Sequence, residues 1–262
     1  MEIPLAAETI GHIGKLPITN TLLMSWLVIS TLAILAILAT RKLARVPGKI
    51  QNVLELVIEA ADNMIRDLAG NKGRVFLPLV LTFFLFILIS NWMGLLPGLT
   101  SIGFWEMEEG HKIFVPLLRS GNSDLNITLG LGLVSVVVTQ ILGLKFQGLW
   151  GYFKHYFHNP LSGGIIFIVA GIGIGAFVGV LELISEFVKI VSLSFRLFGN
   201  IYAGEAVLAT VSGIFAYLAP LPFLMLEGLV GIVQAAVFAL LTLVFISIIT
   251  AGHEESAEQT AH

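Results

Sequence analysis

The stretch TLLMSWLVISTLAILAILAT at 21–40 contains no charged residue, and apolar runs of similar or greater length recur at 75–96, 125–144, 161–218 and 223–251. About 20 apolar residues cross a bilayer core as a helix. Nothing else in the chain constrains its fold as strongly, because such segments need lipid or a very large protein core around them. A large core is excluded by composition: only 12% of the 262 residues are charged, against about 25% in soluble domains. Mean hydropathy is +0.94. Lipid is therefore the solvent for most of the chain. With no cysteine, neither a disulfide framework nor a thiolate metal site is possible. The formal net charge of −3 and the lack of a basic patch give no sign of a nucleic-acid partner.

Charge position predicts the topology. Residues 1–20 carry Glu2 and Glu8 where a secretory signal would be basic, so the first apolar run is expected to stay in the chain. Arg41, Lys42, Arg45 and Lys49 follow that run, whereas Lys15 is the only basic residue before it. The positive-inside rule puts residues 1–20 outside, a first span at 21–40, and the basic cluster in the cytoplasm. Residues 48–72 alternate apolar and charged positions at helical spacing and read as an amphipathic helix on the cytoplasmic surface. A second span at 75–96 returns outward and stops at Pro97-Gly98. A polar external loop is expected at 98–124 and a third span at 125–144. Residues 145–160 (KFQGLWGYFKHYFHNP) are aromatic and basic, which suits the cytoplasmic interface.

Residues 161–218 are too long for one simple crossing. Their glycine-rich part, 163–180, reads as a partial or steeply tilted approach to a fourth span, with a separate extra hairpin as the alternative. Pro220 and Pro222 mark a turn, 223–251 makes the last span, and 252–262 form a polar, disordered cytoplasmic tail. The expected fold is an all-α integral membrane protein, with about five transmembrane helices and one amphipathic interfacial helix.

Ionisable residues inside these segments are expensive, about 2.5–3.5 kcal/mol each on insertion scales, so they point to function by default. They are Glu182, Glu186, Lys189, Arg196, Glu205 and Glu227, joined by the polar Asn200 and Gln234. Glu182, Glu186 and Lys189 fall within pairing distance along a helix and read equally well as a polar cluster at the cytoplasmic face. Arg196 does not fit that explanation. It shares a helical face with Ser192, Gly199, Asn200 and Ala203, all small or polar. Such a face admits close approach of another helix, and a guanidinium does not lose its proton. Arg196 is a fixed positive charge on a contact surface whose carboxylate partner need not belong to this chain. Glu205 is about 180° around the helix from Arg196. Glu227 and Gln234 share one face of the last span.

At these residues the chain resembles subunit a of F-type ATP synthases. Arg196-Leu197-Phe198-Gly199-Asn200-Ile201-Tyr202-Ala203-Gly204-Glu205 is similar to the family's signature around its essential arginine, preceded by the familiar lead-in LELISEFVKIVSLS. Asn91-Trp92-Met93-Gly94-Leu95-Leu96-Pro97 resembles the end of its second span, and Ser123-Asp124-Leu125-Asn126-Ile127-Thr128-Leu129 the start of its third. Gln234-Ala235-Ala236-Val237-Phe238 is similar to the polar motif of its final helix. The glycine-rich part of the long segment has no clear counterpart, and Glu227 stands where some members carry histidine.

The resemblance implies a static, non-catalytic channel subunit whose long tilted helices face a rotating ring of c subunits with membrane-embedded carboxylates. Protons would pass through two offset half-channels, with Arg196, Asn200, Glu205, Glu227 and Gln234 in the translocation path. With Arg196 and Gln234 at similar depth, as the resemblance implies, Glu205 would lie about 13 Å and Glu227 about 10 Å outward of them. It further implies b-type peripheral stalk subunits and the rest of the synthase as partners, no cofactor or metal, and a bacterial plasma (inner) membrane or an organelle's energy-transducing membrane. A secondary transporter would instead carry internal repeats with paired broken helices, of which only 163–181 offers one half. A purely structural anchor would not need the buried charge. The histidines His12, His111, His155, His158, His253 and His262 fall in expected loops, interfaces or tails; His155 and His158 are at metal-compatible spacing but fit an interfacial helix better.

Overall fold

The computed structural model describes residues 7–41, 48–96, 98–99, 102–108, 111–156, 165–214 and 218–251. The tail at 252–262, Lys42 and Arg45 of the basic cluster, and His158 of the histidine pair lie outside the described residues.

Helix α1 (Asn20–Thr40) starts where the Thr19 side chain accepts a hydrogen bond from the backbone N–H of Leu22. This hydroxyl satisfies one of the amides that a helix start leaves unpaired. Only the first half of α1 is covered: Met24 and Val28 are fully buried, while Ile29, Ile34, Ile37 and Leu38 are exposed. On a spanning helix that exposed apolar side is the lipid surface.

Helix α2 (Lys49–Ala69) is strongly amphipathic and ends at Gly70, whose φ of +64° disfavours any side chain. Ile65 is its buried anchor, whereas Val53, Leu56, Met64 and Leu68 remain exposed. After a 3-10 turn (Asn71–Phe76), α3 (Leu77–Leu95) carries Pro78 in its first turn, where a missing N–H is harmless. The corner between α2 and α3 is clamped by Asp62, which takes hydrogen bonds from Arg66 at 2.6 Å and Arg74 at 2.8 Å.

Helix α4 (Leu125–Tyr156) begins at Asp124, whose Oδ1 accepts from the Asn126 amide at 2.9 Å. It breaks at Gly148, with φ 73° and ψ 161°, inside the aromatic segment that begins at 145. Helix α5 (Ile165–Ile214) is 50 residues without interruption, so from residue 165 the glycine-rich stretch belongs to the same helix as Arg196. Helix α6 (Pro220–Ala251) completes the bundle. Helical spans at Asn20–Thr40, Gly73–Leu95, Leu125–Phe146 and Pro220–Thr250 are long and apolar enough to cross a membrane. The chain is an all-α membrane protein.

Strand structure occurs only outside the helices and is absent from the expectations above. Strands β1 (Thr9–Ile13) and β2 (Leu16–Thr19) form one antiparallel hairpin, and β3 (Gly103–Glu108) and β4 (His111–Pro116) another. The described residues of 98–124 thus include a hairpin and a 3-10 turn (Gly121–Ser123). Asn20 Nδ2 ties the two regions together by donating to the Pro116 carbonyl at 3.3 Å.

One core cluster joins Phe83 and Ile87 of α3 with Leu193, Leu197 and Ile201 of α5 and Phe238 of α6. A second joins Ile65, Phe76 and Val80 with Ala239, Leu243 and Ile246 of α6. In lipid, apolar burial alone does not draw helices together, so close packing and hydrogen bonds decide. Gly132 of α4 supplies the first: a Cβ there would collide with the Ser194 hydroxyl of α5 and sit 3.0 Å from the Ile190 carbonyl. Ser135 and Thr242 supply the second, their hydroxyls 2.8 Å apart in a buried bond between α4 and α6.

Candidate functional site

Helix α5 divides its faces sharply around Arg196. Leu193, Leu197 and Ile201 go into the core, while Ser192, Arg196, Gly199, Asn200 and Ala203 lie on the exposed side. A Cβ at Gly199 would meet nothing within 4 Å, so this side is open. Arg196 has no ion pair or hydrogen bond among the described residues. Two other basic groups within the bundle do: Lys189 Nζ is 2.5 Å from Glu186 and 4.9 Å from the centroid of the Phe245 ring, and Arg119 is paired as described below.

Asn200 belongs to the exposed face, yet its amide reaches sideways to α6, donating to Gln234 Oε1 at 2.7 Å. Gln234 therefore stands level with Asn200, about one helical turn beyond Arg196.

Glu205 lies on the side of α5 away from Arg196. Its carboxylate accepts from Arg119 Nε at 3.4 Å. Glu227 arrives from α6, only 9% exposed, and its Oε1 has no hydrogen-bond partner among the described residues. Both carboxylates line one cavity of about 10 Å³, together with Asn91, Gly94 and Ser120. That volume is about what a single water needs. Gly204 makes the approach of α6 possible, because the Glu227 carboxyl occupies the space where a Cβ would stand.

The wall of this cavity is a hydrogen-bonded scaffold. Asn91 donates to the Gly231 carbonyl of α6 at 3.2 Å and accepts from Asn122 at 2.7 Å. Its neighbour Trp92 donates to the Gly228 carbonyl at 3.2 Å. The Asn91-Trp92 pair thus fastens the end of α3 onto α6 beside Glu227.

The structure brings Asn200 to Gln234 and Glu205 to Glu227, and leaves Arg196 facing outward. Sequence reasoning missed Arg119, placed among the solvated residues of 98–124; it is 6% exposed and directly bonded to Glu205. The available signal was the run Ser120-Gly121-Asn122-Ser123-Asp124, small and polar enough to pack against helix ends. Gly204 precedes Glu205 in the sequence, where nothing local marks it as a packing position.

A multi-pass helical membrane protein with an outward-facing arginine on one helix and two carboxylates around one cavity behind it carries the groups an ion-handling class needs and a passive anchor does not. The sequence matches the family described as ATP synthase A chain over residues 22–247. It is 33% identical over 244 residues to ATP synthase subunit a of Moorella thermoacetica, covering 93% of this chain and 96% of that one. It is 36% identical over 237 residues to the subunit a of Gloeobacter violaceus (90% and 85% covered), and 35% over 222 residues to that of Geotalea daltonii (85% and 83%). The chain belongs to the ATP synthase A chain family.

Proposed function

We propose that this chain is the static proton-channel subunit of an F-type ATP synthase, coupling proton flow to rotation of a c-subunit ring. The observation that carries this is Arg196: a permanent charge, exposed on a smooth face of α5, without a counter-ion among the described residues. An intramembrane cation that faces outward is stable when another molecule supplies the carboxylate. Helices of a ring, each bearing one membrane-embedded carboxylate, meet that requirement in turn. Arg196 keeps the passing carboxylate ionised and blocks direct proton leakage between two offset half-channels.

The cavity between Glu205 and Glu227 belongs to one half-channel, open to the outside. Asn200 and Gln234 sit between that cavity and Arg196 and relay or orient the proton near the ring. The transmembrane potential contributes about 2.3 kcal/mol per proton per 100 mV. The chain makes no ATP itself; catalysis belongs to the soluble sector, and b-type stalk subunits hold this subunit still. The location is the plasma membrane of a bacterium.

Purification in mild detergent tests the whole assignment. A c ring and ATPase subunits should co-purify with the chain, and the reconstituted complex should make ATP from an imposed proton gradient. Recovery of the chain alone from such a preparation would contradict the reading.

A further inference from the structure

Arg119 is held more firmly than a loop residue requires. It stands between β4 and the 3-10 turn Gly121–Ser123, and every residue from Arg119 to Asp124 is buried. Asn122 locks the turn to α3 through Asn91 Oδ1 at 2.7 Å. Asp124 Oδ2 accepts from the Thr21 hydroxyl of α1 at 2.8 Å, and the Ser123 hydroxyl donates to the Ser120 carbonyl at 2.9 Å. Against α3 the turn is packed so closely that a Cβ at Gly94 would lie 2.7 Å from that of Ser120. This bracing brings the guanidinium Nε to Glu205 Oε2.

Resting on the proton-channel reading above, we propose that Arg119 is a positioning residue of the outer half-channel, orienting the Glu205 carboxyl and favouring its ionised form beside the cavity it shares with Glu227. The groups around Glu205 are few. Arg119 and the Ser123 hydroxyl come from the turn, the Glu227 carboxyl comes from α6, and the neutral Asn91 and Gly94 come from α3. Arg119 is thus the only cation beside Glu205 among the described residues. A nearby positive charge favours the ionised carboxylate, and a neighbouring carboxylate opposes it. Without Arg119 the two acids would share a proton and hold it; with Arg119, a proton taken up from outside can leave again toward Asn200 and Gln234.

The test uses the complete synthase in liposomes, with passive proton conductance measured against external pH for wild type, Arg119→Gln, Arg119→Lys, Glu205→Gln and the double variant Arg119→Gln/Glu205→Gln. Arg119→Gln should lower the maximal conductance and move the half-maximal external pH upward by about one unit. Arg119→Lys should restore most of both, which a packing role would not predict. The double variant should behave as Glu205→Gln does alone. An assembled Arg119→Gln complex with the wild-type pH profile would overturn the proposal, as would failure of lysine to restore it. If Arg119→Gln does not assemble, the double variant, which leaves neither charge unpaired, must do so, and its failure also counts against the proposal. A wild-type complex that conducts no protons would instead refute the channel reading itself, which separates the two claims.

Discussion

Gly204 and Glu227 occupy adjoining space so completely that a methyl group on the one would coincide with the carboxyl of the other. Gly204→Ala should therefore leave the fold intact, since the displaced group is the end of a flexible side chain, but should move Glu227 out of the cavity. Proton conductance should fall several-fold. Adding Gly204→Ala to Glu227→Ala should cause no further loss, because the colliding atoms are gone, and contacting residues are expected to be non-additive. Additive losses in the four-way comparison would show that the glycine acts elsewhere.

Arg196 offers the sharpest functional test. Arg196→Ala should abolish proton-driven ATP synthesis in complexes that still assemble, and Arg196→Lys should impair it severely, since lysine lacks the planar fork and can lose its proton. The exposed position of Arg196 predicts little change in thermal stability for either variant. Normal coupled synthesis by the alanine variant would remove Arg196 from the mechanism.

Asn91 should matter more for stability than its neighbour. Asn91→Leu removes the 3.2 Å bond to α6 and leaves buried Asn122 without its 2.7 Å acceptor, a loss of about 1–2 kcal/mol. Trp92→Phe removes one bond at an exposed site and should lose about half as much. Unfolding in detergent micelles compares the two; equal effects would contradict the buried network.

The clamp at the α2–α3 corner should be acid-sensitive. Hydrogen bonds from Arg74 first, and Arg66 next, hold the Asp62 carboxyl down at about 2, against 3.8 in an unconstrained chain. A depressed folded value means the contribution is present above pH ~4 and disappears as pH falls toward ~2. The urea midpoint of the detergent-solubilised protein should decline over that window, and Asp62→Asn should flatten the decline. An identical decline in the variant would assign the acid effect to other carboxylates.

Topology is open to labelling, because the chain has no native cysteine. A cysteine at Ile102, beside β3 and exposed, should react with a membrane-impermeant reagent from the external face only. Reaction only from the cytoplasmic side would invert the proposed arrangement.

Much of the membrane architecture was legible because lipid imposes one simple demand, a long apolar run, and because charges inside such runs cannot be casual. That logic singles out Arg196, Glu205 and Glu227 as charges inside apolar runs. It also finds the amphipathic α2, whose alternation of Glu55, Glu59 and Asp62 with apolar residues follows the helical period. The hairpins escaped it because β1 to β4 are short and carry mixed polar and aromatic residues without the length that marks a span. Arg119 escaped for a different reason: its partner Glu205 is 86 positions away, and nothing local distinguishes an arginine held by a buried turn from one in solvent. The register of α5 on α6 was also out of reach. The resemblance implies a similar depth for Gln234 and Arg196, and the contact that Gln234 makes on α5 is with Asn200, one helical turn on.

The unbroken length of α5 has a mechanical consequence. Its 50 residues make a rod of about 75 Å, well over twice the ~30 Å of the hydrocarbon layer, so the rod must lie obliquely. On the proposed reading, a rotor brushing past Arg196 would push sideways on one continuous helix. The recoil would be carried to both ends of the rod, and the subunit would behave as a stator bearing at the point where rotor and membrane meet.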